Sequence, residues 1–513
     1  VNAGLAAFVD SFDADRAWAI VNDLAGHRFE GRRAGTKGAD LASEYIADYF
    51  DSLDLKAAGD SGTYMKRFTL PLWQLTEIPN LTLVDSSQGS VSQSFEYRRD
   101  FNVIPGSGGG IYSAEVAFAG YGITAERIGY DDYANITATG KIILAIVGAP
   151  PSDRFGVGDH AASYVKAENA ISHGAVGLIL VDNPSQPTPK YVERRRCGCC
   201  WTIYEKLTIL AGSIEMADTL LRDNNLTLAT LQRAINDDLK PRSFVTNRQL
   251  RVSVHVTFDG SASAQNVLGF IPGTDPGSSK RVIIIGAHYD HWGRDVDWSM
   301  YSGGNDNASG VAVMMEIARV FSSGAKLNWS VLFAAWSGEE EGFYGSRDYA
   351  HNPYFPLSGT VAYLNLDMVG FGQPLLGQVS ESYKDLRLIA MESANELDIS
   401  VNFQDYQGGS DNVPFEEKGV PNLTLIYWPD DAYHTPADTA DHVSKENLRE
   451  TGRLTALITL KLSQTAETET GTATPLSWTL TMTAFVMTGV VIVALVAVFR
   501  HQRSKKTGAS LQA

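Results

Sequence analysis

The sequence predicts an α/β fold: a mixed, largely parallel sheet flanked by helices, followed by one C-terminal transmembrane helix. Three observations predict it. After Ala264, apolar strand-like runs alternate with helix-like stretches, the pattern of a parallel sheet covered on both faces. Val282-Ile283-Ile284-Ile285 is an unbroken β-branched run, as expected of a strand buried on both sides. Trp478–Phe499 carries no charged residue and is long enough to cross a bilayer.

With 513 residues, about two or three domains are expected. The apolar content of 44% is that of a globular protein with ample core. A net charge of −17 argues against nucleic acid or an anionic membrane surface as partner. The 3 cysteines form one knot, Cys197, Cys199 and Cys200, which implies no disulfide framework and reads as an exposed loop. The chain starts at Val1 without a signal-like segment, so either a signal peptide has been removed or the start is missing. Arg500, Arg503, Lys505 and Lys506 follow the apolar segment and should stay cytoplasmic. The expected product is a single-pass protein of the cell membrane with its large acidic part outside the cytoplasm.

Taken in order, residues 1–55 read as helical, interrupted by the Gly-rich turn Phe29–Thr36. Tyr64–Pro71 and Leu81–Val84 read as strands. A second unit is expected from Phe101, with strands at Val116–Gly122, Lys141–Val147, Gly174–Val181 and Leu250–Thr257 and helices at Lys166–His173, Ile214–Leu221 and Leu228–Ile235. No His, Asp or Glu cluster with ligand spacing falls in it, so it should frame a site rather than supply the chemistry. From Ala264 the expected order is strand Gln265–Ile271, strand Val282–Ile285, helix Ser309–Ser322, strand Ser330–Trp336 and helix Gly342–His351. Strand Val361–Leu366, helix Lys384–Asn395, strand Asn422–Tyr427 and helix Lys445–Leu462 complete it.

In such a sheet, chemistry sits beyond the carboxyl ends of the strands. The β-branched run ends at Gly286, and His288, Asp290 and His291 follow. A His-x-Asp pair there fits an imidazole ligand oriented by a carboxylate; it also fits a satisfied histidine in a strand-end turn. Asp306, just before a helix, fits an N-cap or a ligand. Glu339-Glu340-Glu341 at a helix start would answer the macrodipole or bind a cation. Asp367 ends an apolar strand, where a carboxylate is costly to bury alone. His434 proves nothing by itself. Together, two histidines and several carboxylates at one sheet edge suit zinc.

The chain resembles peptidase family M28, the co-catalytic zinc aminopeptidases, with an inserted β-rich protease-associated (PA) domain. The matching motifs are GAHYDHWG, GGNDNASG, SGEEEGFYGS, NLDMVG and YHTPADT in the family's order, with FEGRRAGTKGADLASEYIADYF upstream and the PA-like KAENAISHGAVGLILV. The resemblance implies a zinc-peptidase-like fold split as follows: 1–100, N-terminal part of the peptidase domain; 101–260, PA-like insert; 261–463, catalytic domain; 464–477, linker; 478–499, membrane helix; 500–513, tail.

It also implies roles. His288, Asp306 and Asp367 match the ligands of one zinc; His434, Glu340 and the bridging Asp306 match those of a second. Glu339 matches the general base, Glu341 falls in a variable position, Asp290 would hold His288 through its second nitrogen, and Tyr433 would donate to the oxyanion. The implied activity is hydrolysis of peptide bonds, releasing N-terminal residues at the outer face of the membrane. Carboxypeptidase action or glutaminyl cyclisation on the same scaffold, or a non-catalytic receptor, are the alternatives. Six Asn-x-Ser/Thr sequons are uninformative, and a glycan on Asn307 would block the site. Side-chain preference and oligomeric state are not legible.

Overall fold

A computed structural model describes residues 8–85, 90–155, 160–188, 190–194, 204–275 and 281–464. The cysteine knot, residues 465–477 of the expected linker and Trp478–Phe499 lie outside the described residues. Among those described, no helix is long and apolar enough to cross a membrane. The chain divides into two compact units, one formed by residues before Trp73 and after Phe258, the other by Trp73–Phe258.

The first unit is built on a nine-stranded sheet. Its strands are β1 (Lys56–Ala57), β2 (Met65–Leu75), β3 (Val256–Ile271), β4 (Val282–His288), β5 (Ser330–Trp336), β6 (Thr360–Leu366), β7 (Leu375–Gln378), β8 (Val401–Gln404) and β9 (Asn422–Tyr427). Their order is β1-β3-β5-β4-β6-β9-β7-β8, with β2 paired to β3. The centre, β5-β4-β6-β9, is parallel; β3 and β7 join it antiparallel. The sheet is therefore mixed with a parallel heart.

Side chains alternate along β4 as strand geometry requires. Ile283, Ile285 and Ala287 enter the core that holds helices α1 (Ala14–Leu24), α2 (Lys37–Ser52), α3 (Ser309–Ser322), α5 (Lys384–Glu396) and α6 (Lys445–Gln464). Val282 and Ile284 enter the opposite core, with Tyr349 of α4 (Tyr344–His351), Trp336, Tyr363 and Phe415. Each fully buried aliphatic side chain contributes about 1.5–3 kcal/mol, so both faces of β4 are fixed. The strand does not end at Gly286 as the sequence suggests; it runs on to His288. A Cβ at Gly286 would stand 2.5 Å from Trp336 Nε1 and 2.8 Å from Tyr363 Cε2, so the glycine there makes room for two neighbouring aromatics.

The second unit holds an eight-stranded sheet whose parallel centre is Gly110–Phe118, Ile142–Ile146, Gly177–Val181 and Thr208–Gly212. The sequence division at residue 101 is too late. Asn80–Val84 pairs with Phe244–Val254 and Val91–Phe95 pairs with Asn80–Val84, so these upstream strands belong to the second unit's sheet. Val91–Phe95 is mostly exposed and lacks an apolar run, so its pairing leaves little mark in the sequence.

Candidate metal centre

Four parallel strands deliver the site. His288 is the last residue of β4, Glu339 and Glu340 follow β5, Asp367 follows β6, and Tyr433 and His434 come in the loop after β9. Asp306 precedes α3 in the irregular turn Gly304–Ala308. The parallel register places all these strand ends on one edge, which is why residues far apart in sequence converge.

Two clusters form around Asp306. His288 Nε2 lies 3.3 Å from Asp306 Oδ1 and 3.3 Å from Asp367 Oδ1. His434 Nε2 lies 3.0 Å from Asp306 Oδ2 and 3.1 Å from Glu340 Oε2. All five side chains are buried. Within the glutamate run, Glu340 faces the histidines, while Glu341 turns away to pair with Arg33 at 2.8 Å. Glu339 is half-buried beside them.

Asp290 holds the site differently from the sequence expectation. His288 Nδ1 lies 3.2 Å from the Asp290 carbonyl oxygen and 3.9 Å from its carboxylate. The carboxylate instead accepts the backbone N–H groups of Glu339 and Glu340, at 3.2 and 3.3 Å. It thus ties the β4 end to the glutamate turn, because two backbone donors at a helix-like start offer it better partners than one imidazole edge.

Several supporting residues had no role in the sequence reading. Asp438 accepts the backbone N–H groups of Asn305 and Asp306 at 2.7 and 2.9 Å. Asn307 donates to the Leu366 carbonyl at 2.8 Å and accepts from Gly310 N and Met368 N, tying the Asp306 turn to the Asp367 strand end. Its amide is fully buried, so the sequon there is closed to glycosylation in the folded chain. Arg32 donates to the carbonyls of Tyr289, Leu24, Ser302 and Gly303 at 2.5–2.8 Å. Burial lowers its pKa to about 10, opposed by Asp438, Asp290, Asp306 and Glu340. Asp438 and Asn307 stand inside the quoted motifs, and Arg32 in the upstream Gly-rich turn; their partners only the fold reveals.

The electrostatics ask for positive charge. Burial opposes ionisation of Asp306, yet hydrogen bonds from His288 and His434 and the charge of His291 hold its carboxyl well below the usual range. Burial opposes charging His434, yet Glu340 and Asp306 raise its pKa to about 9. With protons alone, the imidazoles become the counter-charge; a divalent cation would serve the same carboxylates while leaving the imidazoles neutral ligands. Buried imidazole and carboxylate oxygen are the donor set of zinc. Burial first, then the Glu340 and Asp367 carboxylates, push Glu339 well above the ordinary glutamate range despite His288. Tyr433 stacks on His434 at 3.6 Å, and burial among the carboxylates keeps its phenol protonated.

Comparison with known proteins finds similar sequences and a shared fold. Over 466 residues, 86% of this chain and 83% of the relative, the sequence is 26% identical to the aminopeptidase YwaD of Bacillus subtilis. It is 25% identical to the probable lipoprotein aminopeptidase LpqL of Mycobacterium tuberculosis, covering 62% of this chain and 61% of that one. The fold is shared with the aminopeptidase from Aneurinibacillus sp. strain AM-1, with a TM-score of 0.64 and 23% identity over 88% of this chain and 94% of that one. It is shared equally with a zinc aminopeptidase from Bacillus subtilis, with a TM-score of 0.64 and 22% identity over 87% and 94%. Residues 266–459 match peptidase family M28. That matched segment carries every candidate metal ligand, from His288 to His434.

Proposed function

We infer that this protein is a metallo-aminopeptidase that uses two zinc ions to release N-terminal residues from peptides. The observation that carries the reading is the sharing of Asp306: one of its oxygens faces His288 and the other faces His434. Donor atoms around one tetrahedral zinc, each about 2.0–2.2 Å from the ion, stand roughly 3.3–3.5 Å apart. The four histidine–carboxylate separations of 3.0–3.3 Å are close to that spacing. His288, Asp306 and Asp367 would hold one ion; Asp306, Glu340 and His434 the other.

Bound there, zinc supplies Lewis acidity and makes water a nucleophile near neutral pH. The chain's own residues do the rest. Glu339, kept out of both triads, takes the proton of the attacking water and returns it to the leaving amine; its raised affinity for protons suits both tasks. Tyr433, a protonated phenol, donates to the oxygen of the carbonyl under attack. Asp290 holds the backbone of Glu339, so base and ligand move as one unit.

Support for the aminopeptidase direction comes from YwaD, an aminopeptidase by name, which matches over most of the chain. A probable glutamate carboxypeptidase of Zea mays matches only 35% of it. The membrane placement rests on Trp478–Phe499 and the basic residues after it. The PA identity of the second unit rests on Lys166–Val181 and their neighbours.

Glu339→Gln is expected to keep its metal and lose about 10²–10⁴-fold in turnover. Elemental analysis and kinetics on a free-amine peptide measure both. Near-normal turnover would remove Glu339 as the base. The same assay with N-blocked peptides separates the alternatives, since cleavage of these from their C-termini would reverse the aminopeptidase reading.

A further inference from the structure

We propose that His291 is a positioning residue for the second cation site, clamping one oxygen of Glu340 so that the other faces His434 and the shared Asp306. This rests on the reading above that Glu340 is a ligand. By proximity alone His291 belongs to a ligand cluster of its own with Asp306 and Glu340. The separations decide otherwise. His291 Nδ1 is 2.6 Å from Glu340 Oε1, too short for two donors sharing one ion, whose spacing is roughly 3.3–3.5 Å. It is the length of a direct, charge-assisted hydrogen bond. To Asp306 Oδ2 the same nitrogen is 3.8 Å away, too far for such a bond.

The ring is held for this task. It is fully buried, and its backbone N–H donates to the Arg32 carbonyl at 3.3 Å. A Cβ at Gly303, whose φ is +58°, would stand 2.6 Å from the ring's Cγ, so only glycine leaves the imidazole its seat. The other ring nitrogen, Nε2, is buried without a hydrogen-bond partner. Nδ1 therefore carries a proton and donates it in a hydrogen bond to Glu340, because an ionised carboxylate can only accept. Glu340 is thus gripped from two sides, Oε1 by His291 and Oε2 toward His434 at 3.1 Å. Hydrogen bonds of this kind to a ligand set metal affinity, and their loss costs about 10–100-fold.

The effect should fall on one ion. His288 and Asp367 do not depend on Glu340, so their site should keep its affinity. Zinc per chain under a competing chelator, and cobalt titration followed by visible absorption, resolve the two sites without recourse to activity. His291→Phe keeps a planar ring and removes the donor; the ion at the Glu340–His434 site should lose roughly 10–100-fold in affinity and the other should be unchanged. His291→Asn carries its amide nitrogen near the place of Nδ1 and should restore binding to within a few-fold, whereas His291→Gln, with its nitrogen nearer Nε2, should not. The Asn/Gln comparison stands even if the phenylalanine variant does not fold. Unchanged affinities at both sites, equal loss at both, or Gln restoring as well as Asn would overturn the proposal. A wild-type chain that binds no pair of divalent ions would instead overturn the dizinc reading beneath it.

Discussion

Arg32 shows how much of this site depends on a residue that touches no candidate ligand side chain. Its guanidinium joins the carbonyls of Tyr289, Ser302 and Gly303 to that of Leu24. Those segments flank His288, His291 and the Asp306 turn, so one planar, five-donor group sets their spacing. An unbranched cation could reach only some of the four. Arg32→Met should leave buried carbonyls unpaired and lower unfolding stability by about 3–5 kcal/mol; Arg32→Lys should cost about 1–3 kcal/mol. Denaturant midpoints of the two variants against wild type provide the check. Equal midpoints for wild type and methionine would mean that water replaces the guanidinium, and that the clamp is not real.

At the level of elements, β4 explains why the edge is so well ordered. It lies between β5 and β6 with both faces packed, and Gly286 lets Trp336 and Tyr363 meet over it, their Nε1 and hydroxyl 2.9 Å apart. Gly286→Ala would force these rings apart and should destabilise by about 1–3 kcal/mol, with metal affinity falling as His288 shifts. A thermal melt and a zinc titration on the same variant test whether the two losses travel together. The sequence made β4, β5, β6 and β9 legible because double-sided burial demands unbroken apolar runs. It hid β7 and β8: Leu375–Gln378 and Val401–Gln404 are short, lie toward the sheet edge, and are only partly buried along Val401–Gln404. The candidate ligands were legible from motif order. The clamps on them were not: Asp438 and Asn307 act through backbone groups contributed by distant turns, and a sequence carries no sign of which backbone group lies opposite.

For the molecule as a whole, the candidate ligands share a unit with most of the tryptophans, while Trp73 and Trp201 fall in the other. Trp18, Trp292, Trp298, Trp329, Trp336 and Trp428 all lie in the segments before Trp73 or after Phe258, and Trp292 packs edge-on against His434 at 5.3 Å. Trp73–Phe258 contains none of the candidate ligands. A cation that binds only the folded state stabilises it by about 4 kcal/mol at a thousand times its dissociation constant. For a unit of this size that is a shift of roughly 10 °C. Stripping zinc with a chelator should therefore lower by about that much the unfolding transition of this unit, which dominates tryptophan emission because it holds six of the tryptophans. A calorimetric scan of the same full-length sample should show a second transition, that of Trp73–Phe258, left in place. Restoring zinc should return the first transition; magnesium, which prefers an all-oxygen shell and binds imidazole poorly, should not. A melt indifferent to chelator would mean that the buried carboxylates are neutralised by the histidine protons alone, and the cluster would then be a polar core rather than a metal centre.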